Sequence, residues 1–384
     1  MIDKNNNILL AMEKSEYNLK KCATKSFQAI RFNTISNDIR LEYARDVDRV
    51  IHSNSFTKYI DKTQVFEEKY DGISRRITHV QFVSRASKTI ARALSLNEDL
   101  CEAISLAHDV GHAPFGHVGE RILNKISIEK INQVFAHNLQ GVRNLMYIEN
   151  KGDGLNLTLQ VLDGILCHNG EFVNKHYKPI LKNKEQFLNE YNLGYNDSSL
   201  LKKLTPMTLE GCVVRISDII GYIGKDIEDA IKLGVLKRNE IPDNIISVLG
   251  DSNVTIMNTI ILDIINNSID KDYIEMSDEI YEAVINLKKF NYEKIYNVST
   301  SLEKIKYIEN VFEFLFNTFL EDLLNLNYNS KIFKDYLNNM NESYLNNNSN
   351  ERKVIDYIAC MTDGYMEDTY KLMLGGKWLC MKKK

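Results

Sequence analysis

The run His108-Asp109-Val110-Gly111-His112-Ala113-Pro114-Phe115-Gly116-His117-Val118-Gly119-Glu120 holds three of the chain's eight histidines and two carboxylates. Each such group is costly to bury without a partner, so a run this dense calls for a shared ligand or a reaction. A histidine and an aspartate side by side at a helix end can both reach one cation. Elsewhere, His79 in Arg76-Ile77-Thr78-His79 and Asp218 in Val213-Val214-Arg215-Ile216-Ser217-Asp218 offer one more imidazole and one more carboxylate. Two of each suit a divalent ion. Mn²⁺ is the first expectation; a mixed nitrogen and oxygen set also accepts Mg²⁺, Fe²⁺, Co²⁺, Ni²⁺ or Zn²⁺. His52, His168 and His176 stand alone on their segments and read as structural histidines.

The elements that position these residues are mostly helices. An apolar stretch from Leu100 to Ala107 leads into the His-Asp pair, and Ser95-Leu96-Asn97-Glu98 offers a capping box or Asn97 itself as cap. Gly111 and Pro114 end that helix. Periodicity predicts further helices over 38–52, 77–94, 117–127, 134–149, 157–168 and 208–234. On the last, Asp218, Tyr222 and Asp226 fall at i, i+4 and i+8, along one face. Lys69-Tyr70-Asp71-Gly72 carries a turn signal within Val65 to Arg76, which predicts a small β-hairpin. Residues 171–206 read as an irregular insertion, and Asn346 to Asn350 as an exposed, mobile connection. The expectation is an all-α chain with one minor hairpin: an N-terminal segment 1–37, a core 38–235, and a helical C-terminal extension 236–384 packed on it.

Bulk properties agree. Four prolines and 18 glycines in 384 residues leave room for long helices. With 44% hydrophobic and 26% charged residues, the chain has the composition of an ordinary globular protein. A net charge of −4 gives no push toward nucleic acid or an anionic membrane. The six cysteines are scattered, without a C-x-x-C pair, which suits a reducing compartment and argues against both a disulfide framework and a thiolate zinc site. Asn5-Asn6-Asn7 and the charges around it are unlike a signal peptide, and no apolar run approaches the roughly 18 residues of a membrane span. The expected location is the cytoplasm.

The order His79, His108-Asp109, Asp218 resembles the HD metal-dependent phosphohydrolases. Lys62-Thr63-Gln64-Val65-Phe66, Arg76 to His79, His108 to Glu120, Phe135-Ala136-His137-Asn138 and Asp218-x-x-x-Tyr222-x-x-x-Asp226 resemble their dGTPase branch, the deoxynucleoside triphosphate triphosphohydrolases. So do residues 152–170 and 355–363. Three positions depart from that family: Phe82 where Glu is frequent, Val80 where Ser or Thr is usual, and Gly364 where Arg is common.

The resemblance implies an HD fold and hydrolysis of a dNTP, by default dGTP, to deoxynucleoside and inorganic tripolyphosphate. It implies a water made nucleophilic near neutral pH by an ion on His79, His108, Asp109 and Asp218. His117, oriented by Glu120, is expected to protonate the leaving 5′ oxygen. His112, His137, Arg76 and Lys62 are expected to offset the triphosphate charge. Tyr222 is expected under the deoxyribose, with Asp226 and Gln64 on the 3′-hydroxyl. A homo-oligomer with dNTP as activator at a subunit interface also follows from the family. The alternatives are an HD nucleotidase or phosphodiesterase on another nucleotide, and a non-catalytic dNTP sensor or single-strand-binding protein, the latter unsupported by the charge.

Overall fold

Three helices at or beside the expected site begin on a side-chain cap. Asn97 accepts the Leu100 N–H (3.2 Å) at the head of Glu98–Ala107, Thr158 that of Val161 before Leu159–Cys167, and Thr208 that of Gly211 before Leu209–Ile223. Each cap satisfies a donor that the first turn leaves orphaned. Asn97 is the cap and Ser95 is not; Ser95 sits in left-handed backbone at φ 53°. These helices pack with Arg76–Ala93 into the central bundle, Leu209–Ile223 lying against all three partners.

The computed structural model describes residues 2–36, 38–66, 72–169, 173–297 and 299–381, with side chains from Asn7 to Gly375. It is an all-α structure. Among the described residues the only sheet is two short antiparallel strands, His176–Tyr177 against Ile274–Glu275. That pairing joins distant segments and is separate from the expected hairpin at Val65 to Arg76. The hairpin's turn, at residues 67–71, lies outside the described residues, and its flanks meet in a single antiparallel bridge from Thr63 to Arg75. Among the described residues no single helix is long and apolar enough to cross a membrane.

Several boundaries differ from expectation. The helix over 208–234 is two, Leu209–Ile223 and Lys225–Lys232, parted at Gly224. A Cβ there would lie 2.7 Å from Asn253 Oδ1, so the neighbouring segment packs into the space glycine leaves. The segment 171–206 contains the helices Lys184–Gly194 and Ser198–Leu201, the first capped by Asn183. Asn346 to Asn350 is a tight junction between Glu342–Asn347 and Asn350–Ala359. Ser349 caps the second helix, and Asn348 Oδ1 accepts from Arg143 (2.6 Å).

Buried apolar side chains form two clusters. The larger includes Val80, Ile104, Leu162 and Ile216 and extends to Ile295; the smaller joins Phe115, Leu123 and Phe135 to Phe312, Phe316, Phe319, Ile355 and Ile358. The second cluster seats Leu302–Leu324 and Asn350–Ala359 against Gly116–Ile131, the helix that bears His117 and Glu120.

Candidate active site

His79 comes from Arg76–Ala93, His108 is the C-cap of Glu98–Ala107 with Asp109 next to it, and Asp218 comes from Leu209–Ile223. His79 Nε2 lies 3.0 Å from Asp218 Oδ1. His108 Nε2 lies 3.5 Å from that oxygen and 3.5 Å from Asp109 Oδ1. His108 Nδ1 donates to Ser105 O (2.7 Å), because a carbonyl can only accept, so in the neutral ring Nε2 carries the lone pair. That nitrogen is buried and has no hydrogen-bond partner among the described residues. A buried lone pair converging with two carboxylates and a second imidazole is an arrangement that a divalent cation completes. Burial pushes both carboxyls up, but His108, Arg76 and His112 hold Asp109 well below its ordinary value, and the nearby His108 ring together with the hydrogen bond to His79 lowers Asp218. Both remain ionised, as ligands must.

Beside this cluster lies a second one. A Cβ on Gly111 would fall 2.0 Å from His137 O, so the turn after the His-Asp pair packs backbone to backbone on the start of His137–Arg143. That approach stacks the His112 and His137 rings, 4.0 Å apart and 14° from parallel. His112 Nε2 also lies 3.2 Å from Asp109 Oδ1. Burial, Arg76 and His137 together push the His112 pKa well below the usual imidazole range. Glu120 joins two histidines: Oε2 accepts from His117 Nδ1 (3.0 Å), and Oε1 from His137 Nδ1 (2.8 Å) and His137 N–H (2.7 Å). Burial would raise the Glu120 pKa; His137 and the hydrogen bonds hold it well below its ordinary value.

His168 overturns its reading as a plain structural histidine. Its Nε2 sits 3.1 Å from His137 Nε2 and 3.8 Å from Asp109 Oδ1, and its ring meets that of His108 edge-on at 4.9 Å. Burial pushes its pKa down to about 3. His52 and His176 are exposed, so six of the eight histidines converge. In sequence His168 shares with His108 only its place at the end of an apolar stretch, which does not separate packing from pairing; the bond each makes to the carbonyl three residues back is seen in the structure alone.

The other expected residues surround these clusters. Arg76 is buried and bonds Asp109 through Nη1 and Thr63 O through Nη2 (3.0 Å). Lys62 is buried too; its ammonium bonds His112 O and Ala359 O, and burial lowers its pKa to about 8. Gln64 Oε1 is buried without a partner among the described residues. Asp226 stands on the helix after the Gly224 break and accepts from Tyr296 (2.8 Å); burial raises its carboxyl to about 7. Tyr222 is half-buried against the larger cluster. Local sequence contained no sign of Tyr296, and it marked Asp363 only as the end of the family-like stretch 355–363, without a role. Asp363 accepts from Thr63 N–H (2.9 Å) and Oγ1 (2.5 Å) and from Phe115 N–H (2.9 Å), pinning the segments that flank Gln64 and His117.

Residues 76–222 match the HD domain family, and residues 274–372 match the phosphohydrolase-associated domain. His79, His108, Asp109 and Asp218 all fall in the first span and Asp363 in the second. The chain is 41% identical over 287 residues to a deoxyguanosinetriphosphate triphosphohydrolase-like protein of Caldanaerobacter subterraneus subsp. tengcongensis, covering 74% of each chain. A protein of the same name from Clostridium tetani is 37% identical over 292 residues, or 74% of this chain and 75% of that one. Another, from Desulfatibacillum aliphaticivorans, is 34% identical over 289 residues with the same coverage. With its paired clusters inside the matched span, the chain belongs to the HD-domain phosphohydrolases, among the deoxyguanosinetriphosphate triphosphohydrolase-like proteins.

Proposed function

We propose that the protein hydrolyses deoxynucleoside triphosphates at the α-phosphorus, with dGTP the first candidate, releasing deoxynucleoside and inorganic tripolyphosphate and so trimming dNTP pools. The observation that carries this reading is the shared wall between the two clusters. Asp109 faces the four-ligand set on one side and His112 on the other, and His112 stacks on the His137 that shares Glu120 with His117. A divalent ion on His79, His108, Asp109 and Asp218 would supply a nucleophilic water and offset phosphoryl charge. Among the protein's own groups, His117 is half exposed and held by Glu120, which orients the ring to protonate the leaving 5′ oxygen and balances its charge. His112 and His137 line the path of the triphosphate. Arg76 and Lys62 act one step back: Arg76 fixes Asp109, and Lys62 fixes the backbone of His112.

On the sugar side, Tyr222 packs under the deoxyribose, and Gln64 and the Asp226 oxygen not bonded to Tyr296 take the 3′-hydroxyl. A site that must form that bond rejects analogues lacking it, because a buried polar group is otherwise stranded.

The test is incubation of the purified protein with each of the four dNTPs, then the four NTPs, in Mn²⁺, with products resolved by anion exchange. Deoxynucleoside plus tripolyphosphate is the expected result. Nucleoside monophosphate or sequential phosphate release would overturn it, and dNTP binding without turnover would favour a receptor. The proposal includes a homo-oligomer in which dNTP at a subunit interface activates. Light scattering, and rates in dNTP mixtures against single dNTPs, test that part.

A further inference from the structure

The two oxygens of Asp363 serve two segments that are distant in sequence. Oδ2 accepts from Thr63 N–H (2.9 Å) and Oγ1 (2.5 Å), next to Gln64, and Oδ1 accepts from Phe115 N–H (2.9 Å), two residues before His117. Phe115 is a costly place for the backbone. Its φ of 61° and ψ of 27° lie in the left-handed region, which a bulky side chain occupies only where its surroundings hold it there. The helix Gly116–Ile131 starts from this residue without a side-chain cap. Its ring is buried, 6.4 Å from that of Phe312, so the second apolar cluster fixes the ring while Asp363 fixes the N–H. Thr63 is tied on its other side as well: its carbonyl accepts from Arg76 Nη2 (3.0 Å), and Arg76 bonds Asp109. The link to the C-terminal segment is returned. Asp61 Oδ2 accepts from Gly364 N–H (3.2 Å), and a Cβ on Gly364 would fall 2.8 Å from that oxygen. Lys62 adds a hydrogen bond to Ala359 O (3.3 Å). Residues 61–64 and 359–364 therefore clamp each other from both sides.

We propose that Asp363 is a positioning residue that fixes the two ends of the proposed site relative to each other. Through Thr63 it places Gln64 for the sugar, and through Phe115 it holds the left-handed turn that aims His117. This rests on the reading of Gln64 as a contact to the 3′-hydroxyl and of His117 as the acid. Because each oxygen serves one segment, the two duties can be separated. Asparagine in this place keeps one acceptor oxygen. Turned toward Thr63 that oxygen preserves two hydrogen bonds, and turned toward Phe115 only one. Asp363→Asn therefore keeps the Thr63 side and sets its amide N–H₂ against the Phe115 N–H. Asp363→Ala loses both sides.

The direct test is amide hydrogen exchange at Thr63 and Phe115, read by mass spectrometry with electron-transfer fragmentation. Both amides should exchange slowly in the wild type and fast in Asp363→Ala. In Asp363→Asn the Phe115 amide should quicken while that of Thr63 stays protected. Unchanged exchange at Phe115 in the asparagine variant overturns the proposal, and this variant decides alone if the alanine variant does not fold. No turnover is needed for this readout. A protein that hydrolyses no dNTP would defeat the proposed function, and the exchange pattern would still decide whether Asp363 holds the two segments. Kinetics with a dNTP and its 2′,3′-dideoxy analogue gives the second test. In Asp363→Asn kcat should fall, by up to about 100-fold as a misplacement near 1 Å can cause, with the preference for the 3′-hydroxyl unchanged. In Asp363→Ala that preference should also shrink, by about tenfold, as expected for a hydrogen bond no longer held in place. Equal losses in the two variants would show a general structural role and overturn the assignment.

Discussion

His117 is the most exposed imidazole of the six, so replacing it tests chemistry with little effect on packing. His117→Ala should bind metal and dNTP as wild type does and lose kcat by about 100-fold or more, the range for a general acid. A rate within a few-fold of wild type would remove the assignment. Asp226 makes a prediction of a different kind. Folded, it keeps its proton up to about pH 7, against an ordinary value of 3.8. Between those values the folded state binds more protons than the unfolded one, so this group's contribution to stability falls as pH rises and levels off above 7. Asp226→Asn, which keeps an oxygen for Tyr296, should therefore exceed wild type at pH 8 by up to about 4 kcal/mol, with the gap shrinking steeply toward pH 5. An equal difference in Tm at both pH values would refute it. His108, Asp109 and His117 were legible because local density exposed them, and His79 and Asp218 because their order along the chain resembles a known family. His168 was not, since one histidine on an apolar helix looks the same whether it packs or pairs.

Elements hold these residues through contacts that periodicity does not display. Asp356, on Asn350–Ala359, accepts from Arg143 Nε (2.7 Å) and Nη2 (2.7 Å), from Tyr344 (2.8 Å) and from Gln140 (3.2 Å). Gln140 and Arg143 ride on the helix that begins at His137, so this buried pair anchors one half of the site. Asp356→Ala would leave the guanidinium uncompensated and should cost about 3–5 kcal/mol in urea unfolding, with kcat falling as the helix loosens. A cost under about 1 kcal/mol would show that the pair does not bear on the fold. Helix existence was readable from the apolar spacing over 77–94, 157–168 and 208–234. The break at Gly224 was not, because it depends on Asn253 arriving from another element. The strand pairing of His176–Tyr177 with Ile274–Glu275 was invisible for the same reason.

For the molecule as a whole, scarcity of proline and glycine made the all-α class legible, and the apolar content promised a large core. That the core would come in two clusters was not legible, because the second is assembled from residues near 115–135 and 308–366. Phe319 sits in it, fully buried and 5.1 Å from the Tyr357 ring. Phe319→Ala should cost about 3–5 kcal/mol in chemical unfolding. Activity should fall along with stability, since the cluster seats the helix of His117 and Glu120. A variant that lost stability but kept full kcat at low temperature would show that the second cluster does not support the site.

Thr63 and Asp363 are separated by 300 residues and joined by two hydrogen bonds. Closing so long a loop forgoes chain entropy that local helices do not forfeit, so this staple belongs among the last contacts made as the chain folds. The HD bundle can form its helices early, from neighbours in sequence, while Gln64 and the turn before His117 wait for a segment that leaves the ribosome much later. Catalytic competence is then a late event in the life of each molecule, and a newly made chain acquires its shape before it acquires its chemistry.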